Sequence, residues 1–153
     1  MAFMTKDGFR LYHEDTGGHA PAVLFLHGAG GNHLSWWQQV PVFAEEYRCV
    51  TVDQRGFGQS PDVAGGPGPA DFRDQLGRLT TPVERYAATR VPTLFLTSDE
   101  DELIWPELSK TVHEHVPGSR FERVDAAGHS TYFERPDVFN REVGAFLKGY
   151  RPS

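Results

Sequence analysis

The chain has 153 residues, of which 39% are hydrophobic and 24% charged. That suits one globular domain with an ordinary core and excludes a disordered or fibrous chain. A net charge of −6, with no dense Lys/Arg run, argues against nucleic acid or an anionic membrane as partner. The lone cysteine, Cys49, leaves no intrachain disulfide and no thiolate zinc site.

Residues 3–5 and 9–14 flank an Asp7-Gly8 turn and read as a hairpin. Residues 1–10 lack the apolar segment of a signal peptide, and no run approaches the roughly 18 apolar residues of a membrane span. A reducing cytoplasm is therefore the expected compartment. After a connector at 16–21, residues 22–26 form a short unbroken apolar run, which predicts a strand buried in the middle of a sheet. Residues 27–31, from His27 to Gly31, follow as a glycine turn. Such a turn brings bare backbone N–H groups close to a ligand or a developing negative charge. It also serves as a plain tight turn, and His27 is expected to anchor it.

Residues 35–47 carry Trp36, Val40, Phe43 and Ala44 at helical spacing, with Pro41 either kinking the helix or marking its true first turn. Residues 48–52 predict a second buried strand, and 53–60 a polar glycine-bearing loop. Residues 61–69 are loop. Helices are predicted at 71–79 and 81–88, a third strand at 91–96 and a helix at 106–116. A fourth strand follows at 120–124, and a closing helix at 136–150. From residue 22 onward strands and helices alternate, which predicts a mostly parallel sheet flanked by helices, with the hairpin added at its start. The whole of 1–153 reads as one domain. In such sheets ligands bind beyond the carboxyl ends of the strands, and the unusual polar residues gather there: His27, Asp53 with Arg55, 98–101, and His129.

His129 lies in a Gly-His-Ser loop after a strand, the setting of a general base if a carboxylate orients it. Asp101 is the best partner, with Asp99, Glu100 and Asp125 as rivals. Each residue alone also reads as an ordinary loop or surface group. His113 and His115 are two apart on a helix and face different ways, a poor metal site. His13, His19 and His33 fall in surface segments. Trp36 is a candidate wall of a binding pocket or a core residue. No nucleotide or flavin fingerprint is present, and neither a metal nor a cofactor is expected.

These motifs resemble the α/β-hydrolase superfamily in two blocks. Residues 1–60 carry a His27-Gly28-Ala29-Gly30 turn and the 53–60 loop. Residues 91–150 carry Asp101 in the acid position and Gly128-His129 in the base position. The resemblance implies ester, amide or related hydrolysis, with the Ala29 N–H as oxyanion donor beside Gly28. The absence of Pro from the glycine turn leans toward an esterase or lactonase-like branch, and small carboxylic esters are the expected substrates. The family's Gly-x-Ser-x-Gly nucleophile elbow is missing, and 61–90 is too short for the elbow strand, its helices and a cap. If the sheet closes over the gap, strand 91–96 lies beside 22–26 and Ser98, or a carboxylate beside it, takes the vacated place as nucleophile, with Ser60 and Ser130 weaker candidates. If it does not close, a partner chain covers the slot, and a homo-oligomer is expected. The alternatives are a non-catalytic relative kept as a binding or scaffold protein, and a shortened or engineered inert product.

Overall fold

The computed structural model describes residues 2–6, 9–28, 30–61 and 87–150. The helices expected at 71–79 and 81–88 lie outside the described residues, apart from 87–88. The chain divides into two compact units, Met1–Thr80 and Thr81–Ser153.

In the first unit, β1 (Ala2–Lys6) and β2 (Phe9–Asp15) form the expected hairpin. β3 (Ala22–Leu26) and β4 (Arg48–Val52) begin and end where the sequence places them. The sheet order is β1-β2-β4-β3. β2 runs antiparallel to β1 and β4, and β3 runs parallel to β4 with Ala22 opposite Arg48. Between β3 and β4 the expected helix at 35–47 breaks in two, a 3-10 turn at His33–Trp36 and a short α1 at Val40–Phe43. Pro41 supplies the reason: it sits in the first turn of α1, where its missing N–H costs nothing.

Alternation along the strands sorts the two faces of this sheet. Tyr12, Phe25, Cys49 and Thr51 are buried, together with Phe43 and Tyr47. The Phe25 ring lies 5.4 Å from Trp36 and 6.0 Å from Phe43. Cys49 is 1% exposed, and burial raises its thiol pKa. The opposite face is a groove of about 300 Å³ lined by Met4, Leu11, Leu24, Leu26, Val50 and Val52. Leu24 and Leu26 are more than half exposed there. The expectation that β3 is buried on both sides is therefore corrected, because no described helix of this unit covers that face.

In the second unit, β5 (Leu94–Ser98) pairs in parallel with β6 (Arg120–Val124), and the two form a sheet of their own. Among the described residues β5 does not pair with β3, so the placement of 91–96 beside 22–26, expected if the sheet closes over the gap, is not the one found. The strand starts three residues later than expected and ends two later, because Pro92 brings no ladder donor and pairing starts at Leu94 opposite Arg120. α2 (Pro106–Glu114) packs on this pair, with the His113 ring 5.3 Å from Phe121 and 6.0 Å from Phe95. A short α3 (Thr131–Glu134), absent from the sequence reading, precedes the closing α4 (Pro136–Lys148).

Candidate active site

The loops leaving β5 and β6 are tied together by their backbones. Asp99 N–H donates to the Val124 carbonyl at 3.0 Å, and Glu100 N–H to the Ala127 carbonyl at 3.1 Å. Ala127 is 1% exposed, so this junction is solid. Ala126, just before it, holds a φ of 53°, a left-handed conformation that costs a non-glycine residue energy and bends the chain sharply out of β6.

That bend sets His129 over Asp101. His129 Nδ1 lies 3.0 Å from Asp101 Oδ2 and 3.2 Å from Oδ1. Asp101 Oδ1 also accepts the N–H groups of Leu103 and Ile104, each at 2.9 Å. Burial pushes the Asp101 carboxyl up, but the Ile104 amide, the His129 ring and the Leu103 amide outweigh it and hold the pKa below its ordinary value. The carboxylate is therefore ionised at neutral pH and can only accept. The shared proton sits on His129 Nδ1, which leaves the Nε2 lone pair as the basic site. The Asp101 side chain is 9% exposed and that of His129 48%, so the acid is shielded while the base opens outward.

The rivals are placed elsewhere. Asp99 pairs with the Arg123 guanidinium, which holds its carboxyl below the usual range. Glu100 meets the loop only through its backbone. The Asp125 carbonyl accepts from Arg135 Nη1 at 2.8 Å. Sequence reasoning missed Glu134. Its carboxylate accepts the Gly128 N–H at 2.8 Å and the Ser130 N–H at 3.1 Å, the amides on either side of His129.

The proposed hydroxyl nucleophiles sit differently from the expectation. Ser98 is 1% exposed and its hydroxyl is shared with that of Thr131. A nucleophile must present its oxygen to base and substrate, and this one is enclosed with another partner. Ser60 is 3% exposed, donates to the Asp53 carbonyl at 2.7 Å and accepts the Tyr12 N–H at 2.8 Å, a structural hydroxyl. Among the described residues, His129 makes no side-chain hydrogen bond except to Asp101.

In the first unit, the glycine turn is closed by Gly31 N–H donating to the Gly28 carbonyl at 3.1 Å. Gly28 is exposed, whereas Ala29, the expected oxyanion donor, lies outside the described residues. His27 anchors the turn. Its Nε2 accepts the Gln54 N–H at 3.0 Å, so Nδ1 is the donor, 2.7 Å from the Gly28 carbonyl. Trp36 packs on Phe25 and also lines a cavity of about 250 Å³ with His33, Trp37, Val40 and Thr51. His33 is not a surface histidine. Its side chain is 10% exposed, and its Nδ1 and backbone N–H donate to Asp53 Oδ1 at 2.8 and 2.6 Å. No group of three or more metal-binding side chains occurs among the described residues.

Residues 21–66 match the family model of the alpha/beta hydrolase fold. Across nearly the whole chain the structure resembles a CIB-like hydrolase of Thermoplasma acidophilum, with a TM-score of 0.81, 18% identity and 97% of both chains covered. The chain has the alpha/beta hydrolase fold. An enol-lactonase of Burkholderia xenovorans shares the fold at a TM-score of 0.76 and 15% identity, covering 96% of this chain and all of that one. In sequence, the chain is 46% identical over 44 residues to a putative carbamate hydrolase of Escherichia coli. That match takes in 29% of the chain and 16% of the relative. The relatives of this fold include hydrolases, and the chain spans less than half the length of the first curated proteins it matches.

Proposed function

We propose that this alpha/beta hydrolase chain hydrolyses small carboxylic esters, with His129 as general base and Asp101 as the residue that orients it. The observation that carries this reading is the His129–Asp101 pair. A shielded, ionised carboxylate fixes the imidazole tautomer and leaves Nε2 basic and open. With no described Ser, Thr or Cys bonded to His129, the step these residues support is activation of water. Nε2 takes a proton as the water oxygen attacks the ester carbonyl, then returns it to the departing alkoxide. Gly28 and Ala29 are proposed for the oxyanion on the strength of the family resemblance, and Trp36 for an apolar wall against the acyl group.

Hydrolysis of p-nitrophenyl acetate by the wild type, His129→Ala and Asp101→Asn tests the proposal. Removing a general base costs about 10²–10⁴-fold in rate, so His129→Ala is expected to fall to the background of the ester in buffer. Asp101→Asn should lose much of the same rate, since the imidazole is no longer held in one tautomer. Equal rates in wild type and His129→Ala would sink the enzymatic reading. They would favour the second one, a fold kept as a binding scaffold, to which the enclosed Ser98 hydroxyl already points.

A further inference from the structure

We propose that Glu134 is the positioning residue of the His129 loop, a role that rests on the general-base reading above. Its carboxylate bridges the two amides that bracket His129, with Oε2 on the Gly128 N–H at 2.8 Å and Oε1 on the Ser130 N–H at 3.1 Å. The histidine is thus held by its own backbone on both sides, while its ring is held by Asp101. The two restraints act on different atoms of the same residue. Without the first, the loop is free to swing the ring off the carboxylate, and displacement of about 1 Å in such a group costs up to 10²-fold in rate.

The local sequence is built around this clamp. A Cβ on Gly128 would stand 3.3 Å from both Glu134 carboxylate oxygens, a tight contact to which the carboxylate must yield by a few tenths of an ångström. The glycine therefore makes room for the acid. α3 is a single turn that begins at Thr131 and ends at Glu134, so its one acidic residue folds back over the loop that precedes it. Ser130 is the residue before that turn, and its free N–H is among those a helix start leaves unpaired. Glu134 satisfies it and takes the Gly128 N–H with its second oxygen. The far end of the loop is fastened independently by the Ala127 carbonyl and the Glu100 N–H.

The glutamine variant discriminates sharply. Glu134→Gln keeps the shape, but its amide offers one acceptor and one donor. One backbone N–H then faces an NH₂ group, and the clamp cannot close on both sides. Glu134 touches neither the ring nitrogens nor Asp101, so its effect on the imidazole runs only through the backbone.

The test reads the ring and not the reaction. Long-range ¹H–¹⁵N correlation spectra of ring-labelled protein report which imidazole nitrogen carries the proton, and His129→Asn assigns the signals. The wild type is expected to show the Nδ1–H form for His129, and Asp101→Asn the mixture of a free imidazole, in which Nε2–H predominates. Glu134→Gln is expected to move His129 toward the Asp101→Asn pattern with folding intact by circular dichroism, and Gly128→Ala to do the same by displacing the carboxylate. Retention of the wild-type Nδ1–H pattern in either folded variant overturns the proposal. If Glu134→Gln does not fold, Gly128→Ala carries the test. Failure of both to fold assigns the clamp to stability alone and overturns it as well. A wild type that shows the Nδ1–H form yet hydrolyses no ester removes the esterase reading and leaves the clamp standing.

Discussion

His33, Asp53 and Gly58 show how one buried charge shapes its surroundings. Asp53 is fully buried, and its oxygens take the His33 N–H, the His33 ring and the Gln59 N–H, the last at 2.7 Å. Burial alone would push its carboxyl up. The Gln59 amide, the His33 amide and the His33 ring together hold it below the ordinary carboxylate value. A native pKa below the unfolded one means that the unfolded chain binds protons more readily in acid. The stabilisation is therefore full above the unfolded value, near ~4, and is lost as pH falls through the native one. Asp53→Asn turns an N–H-accepting oxygen into a donor and is expected to cost about 2–3 kcal/mol at pH 7. The gap from wild type should narrow toward pH 3, as urea midpoints at the two pH values will show. None of this was visible in sequence, because His33 and Asp53 stand 20 residues apart and each reads singly as a loop residue. His129 and Asp101 were legible because each ends a recognisable strand in a glycine- or acid-bearing loop. The enclosure of Ser98 was not legible, because its partner, Thr131, lies 33 residues away in a helix the sequence did not suggest.

Among the elements, β3, β4 and β6 were legible to the residue, since each is a compact apolar or alternating run between turn signals. The segment before β4 was legible only in part: Pro41 marks a true first turn, one of its two expected roles, but the apolar stripe over 35–47 did not show the separate 3-10 turn at His33–Trp36. Glu134 was passed over for a similar reason: an acid ahead of Arg135 and Pro136 looks like a solvated helix charge until α3 turns it back on its own loop. The loop after β4 owes its shape to a glycine. Gly58 has a φ of 53°, and a Cβ there would overlap the Asp53 carboxylate. Gly58→Ala is therefore expected to destabilise the first unit by at least about 2 kcal/mol, the left-handed backbone alone costing roughly 1–3 kcal/mol. A urea denaturation curve followed by tryptophan fluorescence will register the loss, and a midpoint equal to the wild type's would refute it.

At the scale of the molecule, the two units differ in what they bring to the fold. The first carries the glycine turn and the match to the alpha/beta hydrolase model, residues 21–66. The second carries the His129–Asp101 pair on loops that follow the parallel strands β5 and β6. Strand-and-helix alternation from residue 22 onward gave the class of architecture correctly, because helix and strand periods are local properties of the chain. It did not give the pairing of the described strands, β3 with β4 and β5 with β6, which depends on contacts that no window of sequence contains.

The sole cysteine of the chain is buried within β4, with its sulfur 3.9 Å from the Tyr47 carbonyl. A disulfide reagent such as Ellman's can reach it only when the first unit opens, so labelling becomes a stopwatch for that opening. The folded protein is expected to resist modification for as long as the unit stays shut. Asp53→Asn and Gly58→Ala should quicken the reaction by about tenfold for each 1.4 kcal/mol they remove. The second unit carries no thiol, so its own breathing leaves this clock silent.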